Sequence, residues 1–309
     1  MGTFGRHVRR LTLYRSAEGV VTVSPTERPD LFAATLGGLG LSGIILSIEL
    51  QLMPVRCSGI EQRNIRFGSL DEYFDLAERF DQDHQYTVAW IDCLARGKRL
   101  GRGYYTAGNH APDCELMVSK PRRISVPFEI PVSPFNSLTL KSLNALYFRK
   151  QLRRDICART DYDSFLYPLD RILDWNRLYG RAGFQQYQCV VPQPGAREVT
   201  REVLREISAT GTGSFLAVLK QFGSLPSPGV LSFPLFGVSL ALDFPQRPCN
   251  ERLFDRLDAL VHEAGGRLYP AKDAHMSGPH FRKAYPAWYQ VEALRDPRLL
   301  SRFWARVTE

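Results

Sequence analysis

The sequence contains no run of about eighteen uncharged apolar residues, the length a membrane-crossing helix needs, so no transmembrane segment is expected. Its opening stretch, MGTFGRHVRRLTLYR, has no apolar core, and no secretory signal is expected either. Six cysteines (Cys57, Cys93, Cys114, Cys157, Cys189, Cys249) lie scattered, with no C-x-x-C and no short Cys/His spacing. Zinc ligation through them is not expected, and free thiols in a reducing compartment are the default. The six histidines (His7, His84, His110, His262, His275, His280) show no metal-ligand spacing, so no metal is expected. There is no G-x-S-x-G elbow, P-loop or H-E-x-x-H, which removes the usual support for a hydrolase, a nucleotide triphosphatase or a zinc protease. No internal repeat is visible. No recognised module interleaves stacking aromatics with basic residues, so a nucleic-acid partner is not expected.

What is present is an ordinary globular balance. Hydrophobic residues make up 44% and charged residues 23% of 309, enough for one large domain or two smaller ones. Forty Lys/Arg against 32 Asp/Glu give a net charge of +8, and that charge is concentrated. Residues 120–160 hold nine Lys/Arg and two acids, Glu129 and Asp155. Leu140, Leu143, Leu146 and Tyr147 fall there at roughly helical spacing. A basic amphipathic segment of this kind suits the surface of an anionic membrane. The competing reading is a solvated loop with one structural helix.

Alternation predicts strands over residues 8–14 and 20–23, then a short helix over 29–36 and a strong strand over 43–52. Ser69-Leu70-Asp71-Glu72 is a capping box that opens a helix running to about Phe80. Further strands are expected at 85–93, 184–191, 214–220, 237–244 and 267–272. Helices are expected at 198–209 and 251–264, the latter with Asn250 as N-cap and Gly265 just past its end. The tail after Pro286 reads as helical. The pattern is that of an α+β fold with helices on one side of a sheet.

Several short motifs bear on chemistry. Gly38, Gly40 and Gly43 match G-x-G-x-x-G, but a helix precedes them and a strand follows. That is the reverse of a dinucleotide fingerprint. A glycine-rich turn, or bare backbone lying against a flat ligand, remains. Gln186 and Gln188 share one face of a strand and form either a polar cavity wall or a solvent-facing edge. Lys220, at the end of S-F-L-A-V-L-K, either snorkels or offers charge to an anionic ligand. Lys272 either stabilises developing negative charge or pairs with Asp273 at the surface.

Taken together, two groups of stretches resemble a known family. Phe4-Gly5-Arg6-His7-Val8, Ser24-Pro25-Thr26-Glu27 and the run 30–45 resemble the end of the PCMH-type FAD-binding domain of vanillyl-alcohol-oxidase flavoenzymes. Ala89-Trp90-Ile91-Asp92, Phe165–Asp170, Trp175-Asn176-Arg177, Gly183–Gln188, Leu231–Pro234 and Gly265–Asp273 resemble the decaprenylphosphoryl-β-D-ribose oxidase branch.

The resemblance implies the later part of an FAD-binding domain over 1–56 and a substrate domain with an antiparallel sheet flanked by helices over 57–266. Residues 267–309 would return to the FAD-binding domain. The front of that domain, with its pyrophosphate loop, would lie upstream of Met1. The implied chemistry is FAD-dependent oxidation of a secondary alcohol on a polyprenyl-phosphate-linked pentose, with a separate reductase acting on the ketone. By resemblance, Ile45 (through its backbone), Tyr269 and Lys272 contact the flavin, and Lys272 is catalytic. Trp90, Gln186, Gln188, Lys220, Phe222, Ser239 and Ala241 line the substrate pocket. Ala241 stands where close relatives often carry cysteine, Ser239 where they carry asparagine, and Leu166 where they carry tyrosine. An aldonolactone- or alditol-type oxidase of a soluble sugar, or a truncated chain without activity, are the alternatives. The expected location is cytoplasmic, or peripheral at the membrane through residues 120–160.

Overall fold

The computed structural model describes residues 2–113, 123–131, 133–272 and 275–309. Cys114, Lys120, Arg122 and Asp273, which figure in the expectations above, lie outside the described residues.

The chain opens with β1 (Val8–Arg15), β2 (Gly19–Val23), α1 (Pro29–Thr35) and β3 (Ile44–Leu50), whose strands form a three-stranded antiparallel sheet in the order β2-β1-β3. Val8, Leu11, Leu13 and Val23 on one side of it bury against Leu31, Phe32 and Leu36 of α1 and its end. The glycine-rich run is a helix-to-strand turn. Gly37 and Gly40 adopt φ near +72° and +75°, which glycine tolerates without a Cβ clash. All seven residues of β3 are exposed, including Ile44, Ile45, Leu46, Ile48 and Leu50.

The body of the protein is an eight-stranded sheet, antiparallel at each described pair. Its strands are β4 (Gly59–Phe67), β5 (Tyr86–Ile91), β6 (Gly103–His110), β8 (Asp155–Asp161), β10 (Phe184–Pro192), β11 (Ala217–Phe222), β12 (Gly237–Pro245) and β13 (Arg267–Leu268). They lie in the order β13-β10-β12-β11-β5-β6-β4-β8. Two short strands, β7 (Ile124–Ser125) and β9 (Ile172–Leu173), pair separately in parallel.

Helices α2 (Leu70–Phe80), α5 (Ala196–Thr210) and α6 (Asn250–Glu263) cover one face of the large sheet. Alternation decides which side chains meet them. Tyr187, Cys189, Leu219, Leu240, Leu242, Ala89, Ile91 and Tyr105 point into the helix layer and are buried there. The three helices are also tied to one another. Arg201 bridges α5 to Asp71 of α2 at 2.6 Å, and Arg256 bridges α6 to Glu206 of α5 at 2.6 Å. At the start of α2, Ser69 Oγ accepts from Glu72 N–H, and Glu72 in turn accepts from the Gly68 N–H.

The remaining helices are α3 (Ser137–Arg149), α4 (Tyr162–Leu166), α7 (Gly278–Ala284), α8 (Trp288–Ala293) and α9 (Arg302–Thr308). The C-terminal stretch meets the first sheet through Arg15, whose guanidinium donates to the Leu294 carbonyl (2.9 Å). It meets it again through Asp296, which accepts from the Ser16 N–H and hydroxyl, both at 2.6 Å. Those bonds hold the Asp296 carboxyl down at a pKa of about 2. The loop between β11 and β12 reaches the helix and the N-terminus beside that sheet, with Val230 N–H donating to Ala33 of α1 (3.1 Å) and Thr3 bonded to Ser227 (2.9 Å).

Four local expectations are corrected. The last strand ends at Leu268 instead of 272, and 270–272 form a single 3-10 turn. Pro270 accounts for this, because it has no N–H to give a ladder. Helix α6 begins at Asn250 with Cys249 in the cap position, and the Asn250 amide nitrogen donates back to the Pro245 carbonyl (2.8 Å). Cys57 is held in a disulfide instead of being free, while Cys93, Cys157, Cys189 and Cys249 are free thiols. The sheet is also not open over the whole of its other side, because α3 lies across its β5–β6 end.

Candidate functional site

The face of the large sheet turned away from α2, α5 and α6 collects most of the residues singled out from sequence. Directly opposed residues of an antiparallel ladder share a face, so the registers can be followed strand by strand. Gln186 opposes Asp243, Gln188 opposes Ala241, and Val190 opposes Ser239. Ser239 opposes Lys220, Ala241 opposes Val218, and Gly237 opposes Phe222. Val218 opposes Trp90, which opposes Tyr104. Gln186, Gln188, Ser239, Ala241, Lys220, Phe222 and Trp90 therefore stand on one face, across four adjacent strands.

Tyr269 and Lys272 join this face from the chain that follows β13. The Tyr269 N–H donates to the Gln188 carbonyl (2.9 Å), which continues the ladder by one bond. The 3-10 turn then folds back, with Lys272 N–H donating to Tyr269 O (3.0 Å). The Tyr269 ring stacks on Phe233 at 4.7 Å, and Phe233 meets Phe222 edge to face at 6.0 Å. The result is a file of three rings along one border of the face, with a lysine at its end.

Asp243 is the residue of this face that reading the sequence missed. It is 6% exposed, and its carboxylate accepts from the Gln186 amide at 2.7 Å. Burial raises its pKa to about 6, against the pull of the Gln186 hydrogen bond and the nearby Lys272 charge. The signal was available, since Asp243 has the same strand parity as Ser239 and Ala241. Lys220 is more than a third exposed, yet it sits among enough protein for desolvation to lower its pKa below the ordinary lysine value. The face thus offers two lysines, one buried acid with a raised pKa, two amides and a row of rings.

Trp90 is closed in more than a bare pocket wall would be. Its indole N–H donates to the Phe215 carbonyl (2.9 Å), and Tyr147 of α3 packs against it at 4.5 Å. Helix α3 is pinned by Asn144, fully buried, which donates to Asp92 (3.0 Å); Asp92 also pairs with Arg102 at 2.8 Å. The inward side of α3 is Leu140, Asn144 and Tyr147, whereas Leu138 and Leu146 face out, 75% and 70% exposed.

Ile45 lies on β3 opposite Leu13, in the three-stranded sheet. Among the described hydrogen bonds and ring contacts, none joins it to the open face. A cavity of about 1140 Å³ also opens elsewhere. It is lined by Phe4, His7, Asp81, Gln193 and Phe236 among others, and Phe222 is the one expected site residue that touches it. The open sheet face, and not this cavity, is where the chemistry gathers.

Comparison with known proteins gives the following relatives. The chain matches no family model. It is 33% identical over 312 residues to decaprenylphosphoryl-β-D-ribose oxidase of Mycolicibacterium smegmatis, an alignment covering 96% of this chain and 67% of that protein. It is also 33% identical over 311 residues to an uncharacterized protein in the mprA 5′ region of Streptomyces coelicolor, covering 95% of this chain and 83% of the other.

Proposed function

Because this chain belongs to the family of decaprenylphosphoryl-β-D-ribose oxidase, we propose that it oxidises a secondary alcohol of a polyprenyl-phosphate-linked pentose to a ketone, with FAD as cofactor. The observation that carries the reading is the convergence of Gln186, Gln188, Lys220, Phe222, Tyr269 and Lys272 on one face. A separate reductase would consume the ketone.

The donor set of the open face fits the ring end of a flavin. Lys272 supplies positive charge, Tyr269 a flat ring, and the glutamine amides hydrogen bonds to polar edges. Bound FAD would supply the two-electron acceptor for the C–H bond that breaks. The chain's own residues handle the rest. Loss of the alcohol O–H proton needs a base, and Asp243 is the buried carboxylate of this face. With a pKa of about 6 it is largely ionised at neutral pH, yet basic enough to take a proton. Lys272 stabilises negative charge as it develops beside it. Gln186, held to Asp243, and Gln188 orient the sugar hydroxyls. Lys220, at the far end of the row, faces the anionic side of the substrate.

The outer side of α3 supports delivery of such a substrate from a membrane. Leu138 and Leu146 on the helix and Leu152 just after it are 70–88% exposed, and Lys141, Arg149 and, beyond the helix, Arg153 are exposed among them. The basic excess is smaller than the sequence count suggests, because Arg154 pairs with Glu72 and Arg159 with Glu61 and Asp113. No helix among the described residues is long and apolar enough to cross a membrane.

The test is to add FAD and then a short-chain polyprenyl-phosphoryl ribose under anaerobic conditions, and to follow the flavin band at about 450 nm. Bleaching of that band is expected. A chain that takes up FAD but is not bleached by this substrate, and is bleached by a soluble alditol, would overturn the lipid-linked assignment.

A further inference from the structure

On the opposite side of the sheet from the open face, the fold assembles a group that the proposed oxidation does not use. Asp258 and His262 lie one turn apart on α6, at i and i+4, and so share a side of the helix. His280, from α7, packs its ring against that of His262 at 3.9 Å. One ligand atom from each of Asp258, His262 and His280 lies within 4.8 Å of the others. Asp258 and His262 are each 6% exposed, and His280 is half-buried.

Two features separate this group from an ordinary packed histidine pair. His262 Nε2 is buried with no hydrogen-bond partner, a state that costs about 1–3 kcal/mol and is rarely left uncompensated. Asp258 is already oriented, accepting from the Tyr187 hydroxyl at 3.0 Å and meeting His275 Nε2 at 3.1 Å. Outer-shell groups that fix a ligating carboxylate in this way are the usual support of a metal ligand.

We propose that Asp258, His262 and His280 bind a zinc ion that staples α6 to α7. Two imidazoles and one carboxylate, with no thiolate, form a nitrogen and oxygen set that zinc accepts in tetrahedral geometry. Ligand atoms around such an ion stand about 3.4 Å apart, so closing from the present separations takes a movement of about an ångström. His280, on the short and partly exposed α7, can make it, and its exposure leaves the ion a way in. Water completes the fourth position. The ion satisfies the orphaned His262 nitrogen and fixes α7 against the sheet-packed α6. The linker from β13 to α7 carries Lys272, so the staple also holds in place the segment that delivers that lysine to the open face.

The experiment uses the full chain, freed of any affinity tag, stripped with EDTA and then supplied with zinc chloride and desalted. Elemental analysis should find one zinc per chain, and the Tm of the stripped protein should rise with zinc concentration. Cobalt in place of zinc should give the intense visible bands of a four-coordinate ion. His280→Ala, at a half-buried position, should keep the wild-type circular dichroism and weaken binding by at least about 100-fold. Asp258→Asn should do the same if it folds. Failure of the wild-type chain to retain stoichiometric zinc, equal retention by His280→Ala, or a Tm indifferent to zinc would each overturn the proposal.

Discussion

Replacing Asp243 by asparagine should make the protein more stable at neutral pH while removing the base assigned in the proposed oxidation. The magnitude follows from the raised pKa. In the unfolded chain the carboxyl titrates near 3.8; in the folded protein burial lifts it to about 6. Below about pH 4 both states carry the proton, and the group costs nothing. Between about 4 and 6 the unfolded chain gives up its proton while the folded one keeps it, so stability falls as pH rises. Above 6 both are ionised and the deficit is constant, at about 3 kcal/mol for a shift of this size. The asparagine would be neutral throughout, and its amide oxygen can still accept from Gln186. Asp243→Asn should therefore match the wild type near pH 4 and exceed it by about 3 kcal/mol at pH 8, or about 5 °C in Tm for a chain this long. Denaturant unfolding of both proteins across that range measures the gap directly. A gap that does not change with pH, or a variant less stable than wild type at pH 8, would refute the claim that ionising this carboxyl costs the folded protein stability.

Three further outcomes follow from the same geometry. Lys272→Ala should leave the fold intact and slow reduction of bound FAD by substrate by about 10²–10³-fold, the usual loss when a charge-stabilising group is removed; unchanged single-turnover kinetics would contradict its role. Leu257→Ala should destabilise by about 2–5 kcal/mol, because Leu257 is fully buried between α6 and the sheet; a loss under about 1 kcal/mol in urea unfolding would mean the helix layer packs otherwise. Changing Lys141, Arg149 and Arg153 together to glutamine should weaken sedimentation with anionic liposomes by about 3 kcal/mol, more than a hundredfold. Equal sedimentation of variant and wild type would remove the membrane role from α3 and the residues that follow it.

Much of this was legible in the sequence where the signal is local. The Ser69 box placed the start of α2, and glycine at 265 marked the end of α6, where it adopts φ +70°. Strand alternation located β10 and put Gln186 and Gln188 on one face. What escaped was set by neighbours. Asn250 has cap chemistry, but the helix begins one residue earlier, at Asn250 itself, and its amide donates to the Pro245 carbonyl. Leu140, Leu143, Leu146 and Tyr147 suggested either a membrane-facing amphipathic segment or a structural helix in a solvated loop, and buried Asn144 among them anchors the helix to Asp92. Asp243 was passed over because an acid in an aliphatic strand looks like an interruption until the opposing Gln186 is known. The Asp258/His262 pair could be seen at i, i+4. Its third member comes from a helix that only the tertiary fold brings near.

The same alternation explains why fold and site cannot be separated here. In β10, Tyr187, Cys189 and Val191 enter the helix layer, while Gln186 and Gln188 form the open face. A slip of one residue in its pairing with β12 would place two amides among Leu253, Phe254 and Leu257 and move the tyrosine out. The cost of burying two unpaired amides is several kcal/mol, so the apolar residues that drive folding also fix where the polar ones stand. The helix face is thus what allows the opposite face to hold a buried carboxyl at an unfavourable pKa. The core on one side enforces the register, and the register keeps Asp243 opposite Gln186.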